Sequence, residues 1–295
     1  MEIRRVLCPV DFSDFSRRAL HHAAAVAEWY AAELHVLHAY LEVAPIPVPL
    51  LVPEPMPDVR ARVTAALHEF VVKADIGRPP LEIVRDGDAV PTVLAYARDV
   101  SADLLVMGTH GHTGFERALL GSTAERVLHG APCPVLTIPR LADEPGSAER
   151  VRFTRVLSAV DFSPASLRAL AHGLALAEEG EAGLIVLHVL GMLSDEEART
   201  QGHFRIAEYV RARTEDVRRQ LTALVPQEAR AWCDVTEVVE LGPPARAILD
   251  VADRESVDLI VMGSQGRHGL GLALFGSTTQ TVVRRAVCPV LTVRG

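Results

Sequence analysis

The chain contains two copies of one sequence pattern, and this duplication constrains its fold more than any other feature. The segment RVLCPVDFS at residues 5–13 returns 150 residues later as RVLSAVDFS. Residues 104–139 and 259–294 are identical at 18 of 36 positions. Solenoid repeats are only about 20–50 residues long, so a repeat of this length predicts two complete domains. We place them at residues 1–140 and 153–295, because the connector between them is polar and rich in turn-forming residues.

Each copy alternates short apolar runs with longer helical patterns. In the first copy, strands are predicted at residues 6–10, 34–39, 81–84, 104–107 and 134–138. Helices are predicted between them, among them 16–32, 91–100 and 122–129, with Ser13 or Asp14 as the cap of the first. Short strands separated by helices indicate parallel βαβ units with right-handed crossovers. The expected fold class is α/β, with two tandem, doubly wound open parallel sheets that carry helices on both faces.

The composition excludes several classes of protein. Of the 295 residues, 49% are hydrophobic and 23% are charged, which supplies packed cores and excludes a disordered chain. The net charge of −8 argues against a nucleic-acid-binding protein, which would carry a basic surface. No secretory signal or membrane-spanning run is readable, and the four cysteines stand singly, as reduced and buried thiols do. We therefore expect a cytoplasmic protein that has neither nucleic acid nor a membrane as a partner.

A glycine motif follows the fourth predicted strand of each copy. Two residues separate its first two glycines, and nine separate the second glycine from a Gly-Ser pair. Its members are Gly108, Gly111, Gly121 and Ser122 in the first copy, and Gly263, Gly266, Gly276 and Ser277 in the second. Glycine lets a phosphate approach backbone N–H groups without a Cβ in the way, and the helix that begins at the serine offers further N–H donors. One such motif is usually a structural turn with a helix cap, whereas two copies with one spacing favour an anion-binding site.

An aspartate ends the first strand of each copy, at the sheet edge where the glycine motif also lies. These residues are Asp11 and Asp161. In open α/β sheets ligands bind at this edge. A carboxylate there can accept a hydrogen bond from a ribose hydroxyl or an adenine amine, or help to hold Mg²⁺. It can equally form an Asx turn or cap the next helix, and the sequence leaves both interpretations open.

The remaining polar features are interpreted as structural. His38 and its counterpart His188 are expected to be strand-end residues satisfied by hydrogen bonds, not ligands. His21 and His22 are expected at the surface of a helix. The run 42–58 holds six prolines and is expected to be an irregular surface loop.

These motifs resemble the universal stress protein family, over nearly the whole chain. The Val-Asp-Phe-Ser of the first strand, the Leu-His of the second, and the glycine motif followed by Cys-Pro-Val-Leu carry the resemblance. The glycine pattern is that of the ATP-binding branch, which implies a Rossmann-like fold of the adenine nucleotide alpha hydrolase type, with ATP between the first and fourth strands and Mg²⁺ alongside it. By position, the implied nucleotide contacts are Pro9, Asp11, Ala39, Met107, Gly108, Gly111, Gly121 and Ser122 in the first copy. In the second copy they are Asp161, Val189, Met262, Gly263, Gly266, Gly276 and Ser277, and Ala159 replaces the family's proline.

The resemblance leaves the metal ligands unassigned and bears on assembly. Family members commonly pair their last strands about a two-fold axis. This implies either a homodimer or pairing of the two copies within one chain.

Efficient ATP hydrolysis is not expected. A P-loop ATPase carries G-x4-G-K-[S/T], whose lysine reaches the phosphates, whereas the only lysine here, Lys73, lies far from the glycine motifs in sequence. Arg117 and Arg126 offer charge in the first copy, but Leu272 and Thr281 replace them in the second. Whether the protein is an enzyme stays open, with slow ATPase activity as the upper limit.

The leading hypothesis is an ATP-binding regulatory module of the stress response that acts on an unknown protein partner. The alternatives are a slow ATP hydrolase and a nucleotide-independent dimeric scaffold.

Overall fold

The chain forms two compact units, Glu2–Val151 and Arg152–Gly295. The structure is a computed structural model, and it describes residues 2–41, 58–109, 120–139, 151–191, 206–266 and 275–294. Nearly all of the proline-rich run, and also Gly111 and Arg117, lie outside the described residues.

Among its described residues, the N-terminal unit alternates five strands with four helices. The strands are β1 (Arg5–Pro9), β2 (Glu33–Tyr40), β3 (Leu81–Asp86), β4 (Leu104–Gly108) and β5 (Val135–Ile138). The helices are α1 (Asp14–Trp29), α2 (Val59–Ala74), α3 (Ala89–Asp99) and α4 (Ser122–Gly130). All strands are parallel, in the order β3-β2-β1-β4-β5.

The C-terminal unit repeats this arrangement, with one further short helix in its described part. The strands are β6 (Arg155–Ala159), β7 (Gly183–Leu190), β8 (Val235–Leu241), β9 (Leu259–Gly263) and β10 (Val290–Val293). The helices are α5 (Pro164–Gly180), α6 (Ile206–Leu224), α7 (Ala229–Trp232), α8 (Pro244–Arg254) and α9 (Ser277–Arg285). The parallel strands follow the order β8-β7-β6-β9-β10.

Helices cover both faces of each sheet because the strand order reverses in the middle. From β1 the chain moves outward through β2 to β3, and it then returns to the other side of β1 as β4. Right-handed crossovers therefore place α1 and α2 on one face and α3 and α4 on the other. The contacts of α1 with α2 and of α3 with α4 agree with this placement. The central strands β4 and β9 are accordingly buried along almost their whole length, and the predicted fold class is confirmed.

Helix starts follow the local sequence. Ser13 is the cap of α1, and its Oγ accepts a hydrogen bond from the N–H of Ser16 at 3.2 Å. Helix α3 begins at Ala89, two residues before the predicted start at Pro91. Proline is tolerated there because the first turn of a helix has no intrahelical acceptor for its N–H groups.

The prediction that His22 lies at the surface is wrong. Its side chain is 6% exposed, because α1 packs against β1 and β4 and turns position 22 inward together with Ala19, Ala23 and Val26. The Nδ1–H of His22 donates to the carbonyl of Arg18 at 3.0 Å. Burial lowers the pKa of His22 from 6.5 to about 4.

The lowered pKa of His22 predicts that the N-terminal unit loses stability in mild acid. Above about pH 6.5 the imidazole is neutral in both the folded and the unfolded chain, whereas between about pH 6.5 and 4 mainly the unfolded chain binds the proton. Stability therefore falls as the pH drops through this window, by up to about 1.4 kcal/mol per pH unit. We expect the His22→Gln variant to show a smaller decrease of its urea midpoint between about pH 7.5 and 5 than the unaltered protein.

A matched control is His129→Gln, since the Nδ1 of His129 also bonds the carbonyl four residues earlier, that of Glu125. The same measurement on this variant shows what the loss of such a histidine hydrogen bond alone does to the urea midpoint. An equal pH dependence in the His22→Gln variant would contradict the assignment.

The sequence-based expectations for thiols agree with the structure. All four cysteines are buried and unpaired, and burial raises the pKa of Cys133 and Cys288 to about 12. Such thiols are protonated and inert at neutral pH.

In the part of the chain that the structure describes, no helix is long and apolar enough to cross a membrane.

Candidate functional site

The candidate site of each unit lies where the strand order reverses. In the N-terminal unit this is the carboxyl end of the pair β1 and β4, which end at Pro9 and Gly108. In the C-terminal unit it is the end of β6 and β9, where Ala159 pairs with Met262. The connections leave these neighbouring strands in opposite directions, which opens the crevice where ligands of α/β proteins bind.

The aspartate after the first strand organises the start of the following helix. One carboxylate oxygen of Asp161, Oδ1, accepts hydrogen bonds from the backbone N–H of Ser163, at 3.0 Å, and from its hydroxyl. Asp11 makes the same two bonds with Ser13, the backbone one at 3.1 Å. The Asx-turn interpretation is thus confirmed for this oxygen in both units, and it fixes where the second oxygen, Oδ2, lies.

A strained aromatic residue follows each aspartate. Phe12 and Phe162 have φ values of +64° and +63°, a left-handed conformation that bulky residues rarely adopt. The ring of Phe12 stacks on His38, with centroids 4.1 Å apart. Phe162 and His188 are also in ring contact, with centroids 4.9 Å apart. These contacts hold the turn that carries the aspartate.

The two strand-end histidines are satisfied, as the sequence analysis predicts. The Nδ1–H of His38 donates to the carbonyl of Val10 at 2.8 Å, and that of His188 donates to Val160 at 2.6 Å. Burial lowers the pKa of His38, and the bond to Val10 opposes this effect. Both histidines therefore tie the second strand of the unit to the residue just before the aspartate.

The structure gives a different physical reason for glycine at each of the three positions of the C-terminal motif. A Cβ on Gly263 would lie 2.9 Å from the backbone nitrogen of Ser166, so this glycine is required for the close packing of β9 on α5. A Cβ on Gly266 would lie 2.8 Å from Oδ2 of Asp161, which shows that the loop passes directly over the carboxylate. Among the described residues, a Cβ at Gly276 would meet nothing closer than 3.5 Å, which is ordinary van der Waals contact. Of these three glycines, Gly276 is thus the one on which no described residue imposes a packing requirement.

A backbone hydrogen bond closes the base of the glycine loop in both units. The N–H of Gly276 donates to the carbonyl of Ser264 at 2.8 Å, and that of Gly121 donates to Thr109, also at 2.8 Å. Ser264 in turn donates to Val293, at the end of β10. The start of α9 is thereby held next to the end of β9, and a Cβ on Gly276 would lie 3.8 Å from the nitrogen of Gly266.

The helices that begin at this base carry uncapped N–H groups. Gly121 and Gly276 occupy the cap positions of α4 and α9, and no side chain of a described residue caps either helix. Ser122 and Ser277, the first residues of these helices, are exposed. An uncapped helix start presents backbone donors and a partial positive charge of about +0.5 to an anion.

The structure brings together some of the predicted residues and separates others. Asp161, Gly266 and Gly276 come together through the contacts above, with Gly263 supporting them from the strand. Ala39 and Val189 lie on β2 and β7, across the first strand of the unit from the glycine motif. Gly111 is outside the described residues, and the metal ligands stay unassigned: in the described part of the chain no group of three His, Cys, Asp or Glu side chains could hold a metal ion.

One residue of this region was missed by the sequence analysis. Thr279, in the first turn of α9, donates from its Oγ1 to the carbonyl of Gly263 at 2.9 Å. Alignment of the two copies could have identified it, because the first copy has Ala124 at the corresponding position and the two therefore differ in a hydroxyl group.

Comparisons with known proteins agree with the fold. The family model described as Universal stress protein family matches residues 2–139 and 152–294. A universal stress protein of Methanocaldococcus jannaschii is 34% identical over 147 residues, which are 46% of this chain and 82% of the relative. One of Mycolicibacterium smegmatis is 31% identical over 204 residues, 66% of this chain and 62% of the relative. The crystal structure of a universal stress protein from Archaeoglobus fulgidus covers 99% of this chain and 97% of its own, with a TM-score of 0.67 and 23% identity.

Proposed function

This chain belongs to the universal stress protein family as a tandem member, and on that premise we propose that each unit binds one adenine nucleotide, ATP with Mg²⁺. The bound nucleotide serves as a regulatory signal read by a protein partner, with little or no hydrolysis. The site in each unit is the crevice at the strand reversal. The phosphates lie at the start of α4 or α9, and the nucleoside lies toward Asp11 or Asp161.

The observation that carries this proposal is the convergence of three backbone features in the C-terminal unit. The loop at Gly266 lies over Asp161, and the uncapped start of α9 lies beside the same loop. Because Gly276 has no Cβ, a phosphate oxygen has room to reach the N–H groups of the first turn. A nucleoside triphosphate matches this arrangement, because its phosphates are the anion for the helix start and its ribose hydroxyls can donate hydrogen bonds to the carboxylate.

The placement of the described charged side chains supports binding without efficient hydrolysis. The one lysine of the chain, Lys73, lies on α2, which connects β2 to β3 and not the strands β1 and β4 that form the crevice, and its Nζ pairs with Glu69 at 2.6 Å. Arg126 lies 3.9 Å from Asp88 at the exposed start of α3. Mg²⁺ would be held mainly by phosphate oxygens and water, which is the usual mode for this ion.

The proposal is tested by the nucleotide that the protein carries and binds. Purified protein is denatured, the released nucleotide is identified, and nucleotide-free protein is melted with Mg-ATP or Mg-GTP. At a concentration of about 100 times the dissociation constant, ATP should stabilise a binding unit by about 2.7 kcal/mol, a shift of several degrees. No released nucleotide together with no ATP-specific shift would support the scaffold instead, and release of mainly ADP after loading with ATP would support a slow hydrolase.

The Asp161→Asn variant separates ligand binding from helix capping. The side-chain oxygen of asparagine can still accept the two hydrogen bonds of Ser163, which leaves the NH₂ group in the place of Oδ2. This group cannot accept from a ribose hydroxyl. We expect the affinity for ATP at the C-terminal site to fall about 10-fold or more while the melting temperature of the ligand-free protein stays nearly unchanged. Calorimetric titration measures the first quantity; unchanged affinity would show that the nucleoside lies elsewhere.

A further inference from the structure

We propose that Thr279 is a positioning residue that makes the two nucleotide sites unequal, with the C-terminal site the tighter one. This inference rests on the proposed function and concerns the phosphate end of the site. It comes from a difference between the two units, not from the features that they share.

Thr279 fixes the first turn of α9 to the end of β9. The residue is 3% exposed, and its Oγ1 donates to the carbonyl of Gly263 at 2.9 Å. Gly263 is the first residue of the glycine motif. The threonine hydroxyl therefore joins the two segments that would enclose the phosphates.

The hydroxyl also lies close to the expected phosphate contact. A Cβ on Gly276 would be 3.7 Å from Oγ1 of Thr279. The hydrogen bond thus anchors the helix start immediately beside the N–H groups that an anion would use. The bond from Gly276 to Ser264, 2.8 Å long, provides a second link at the same place.

The N-terminal unit retains only the second of these links. Gly121 donates to Thr109 at 2.8 Å, as in the other unit. The residue aligned with Thr279 is Ala124, which is equally buried at 3% exposure and has no hydroxyl to donate. The start of α4 therefore lacks the side-chain anchor that holds α9.

A site whose donors are already held in place loses less conformational freedom when a ligand binds. The second anchor should therefore favour ATP at the C-terminal site. One hydrogen bond of this kind corresponds to a difference of about 3- to 10-fold in affinity.

The test is calorimetric titration of the full-length, nucleotide-free protein with Mg-ATP. The unaltered chain should show two classes of site that differ about 3- to 10-fold. The Thr279→Val variant keeps the shape of the side chain but loses the hydroxyl, and it should reduce the two classes to one. The Thr279→Ser variant keeps the hydroxyl and should restore them.

Adenosine separates positioning of the phosphates from a general loss of structure. Because adenosine has no phosphates, its affinity should be the same for the unaltered chain and the Thr279→Val variant. Two equal sites in the unaltered chain would overturn the inference, and so would equal losses of ATP and adenosine affinity in the Thr279→Val variant. In both cases the proposed ATP binding of the unaltered chain would still stand. Absence of any ATP binding by the unaltered chain would instead overturn the proposed function.

Discussion

The Gly276→Val variant is expected to bind one ATP per chain where the unaltered protein binds two. Gly276 has a φ of −61°, which suits any residue, and among the described residues a Cβ there meets only ordinary contacts. The variant should therefore fold. Its side chain would occupy the space through which a phosphate reaches the first turn of α9. Loss of two charge-assisted hydrogen bonds, each worth about 1.5–3 kcal/mol, lowers the affinity of that site by about 100-fold or more.

The chain offers two matched comparisons for this variant. Gly121→Val should remove the other nucleotide, and the double variant should remove both. Gly183→Ala is the control, since a Cβ at Gly183 meets nothing closer than 3.7 Å and the residue begins β7, at the sheet edge opposite the crevice. The bound nucleotide is counted after gel filtration and denaturation. Two nucleotides retained by the double variant would refute the placement of the phosphates.

Two single substitutions, Ser158→Ala and Gly173→Ala, are expected to change the stability of the C-terminal unit in opposite directions. The hydroxyl of Ser158 is fully buried and has no hydrogen-bond partner among the described residues, and it occupies the space beside Gly173 of α5, where a Cβ would lie 2.2 Å away. Gly173→Ala alone should therefore destabilise the C-terminal unit, by about 1–3 kcal/mol. Ser158→Ala removes the unsatisfied hydroxyl and should stabilise the unit by about 1 kcal/mol.

The double variant should be more stable than the unaltered protein. Without the hydroxyl, the new methyl group at position 173 faces the Cβ of residue 158 at 3.6 Å, and alanine is favoured over glycine within a helix by about 1 kcal/mol. The N-terminal unit already has Cys8 and Ala23, both fully buried, at the corresponding positions. The non-additivity should reach about 2 kcal/mol or more.

Each unit contains one tryptophan, so urea unfolding can be followed separately. In a Trp29→Phe background, fluorescence reports Trp232 and hence the C-terminal unit alone. Additive effects of the two substitutions would contradict the close contact between Ser158 and Gly173.

Much of the candidate site could be predicted from local patterns. Asp161 and Gly266 are more than 100 residues apart in sequence, yet Asp161 stands at the end of the first predicted strand of its copy, and Gly266 belongs to the glycine motif that follows the fourth. Since parallel strands of one sheet end at the same edge, their proximity follows from strand order and handedness. The cap at Ser13 could also be predicted, because capping depends on residues within a single turn.

Other features depended on packing that no local pattern contains. Whether His22 faces solvent depends on which side of α1 meets the sheet, and an alanine-rich helix gives only a weak signal of this orientation. The spacing of the motif treats Gly263 and Gly276 alike, although the first is required by the backbone of α5 and the second is not. The partner of Thr279 is likewise invisible in sequence until the end of β9 is placed beside α9.

The sequence alone determined the duplication, the order of strands and helices, and the sheet edge at which a ligand would bind. These depend on periodicity and on the chirality of the chain, which are local properties. Only the tertiary structure decided which glycine makes room for packing and which leaves room for a ligand, and which contact the Thr279 hydroxyl makes where the first copy has Ala124. Those distinctions depend on separations of a few ångströms between distant segments, and these are set by how the helices pack on the sheet.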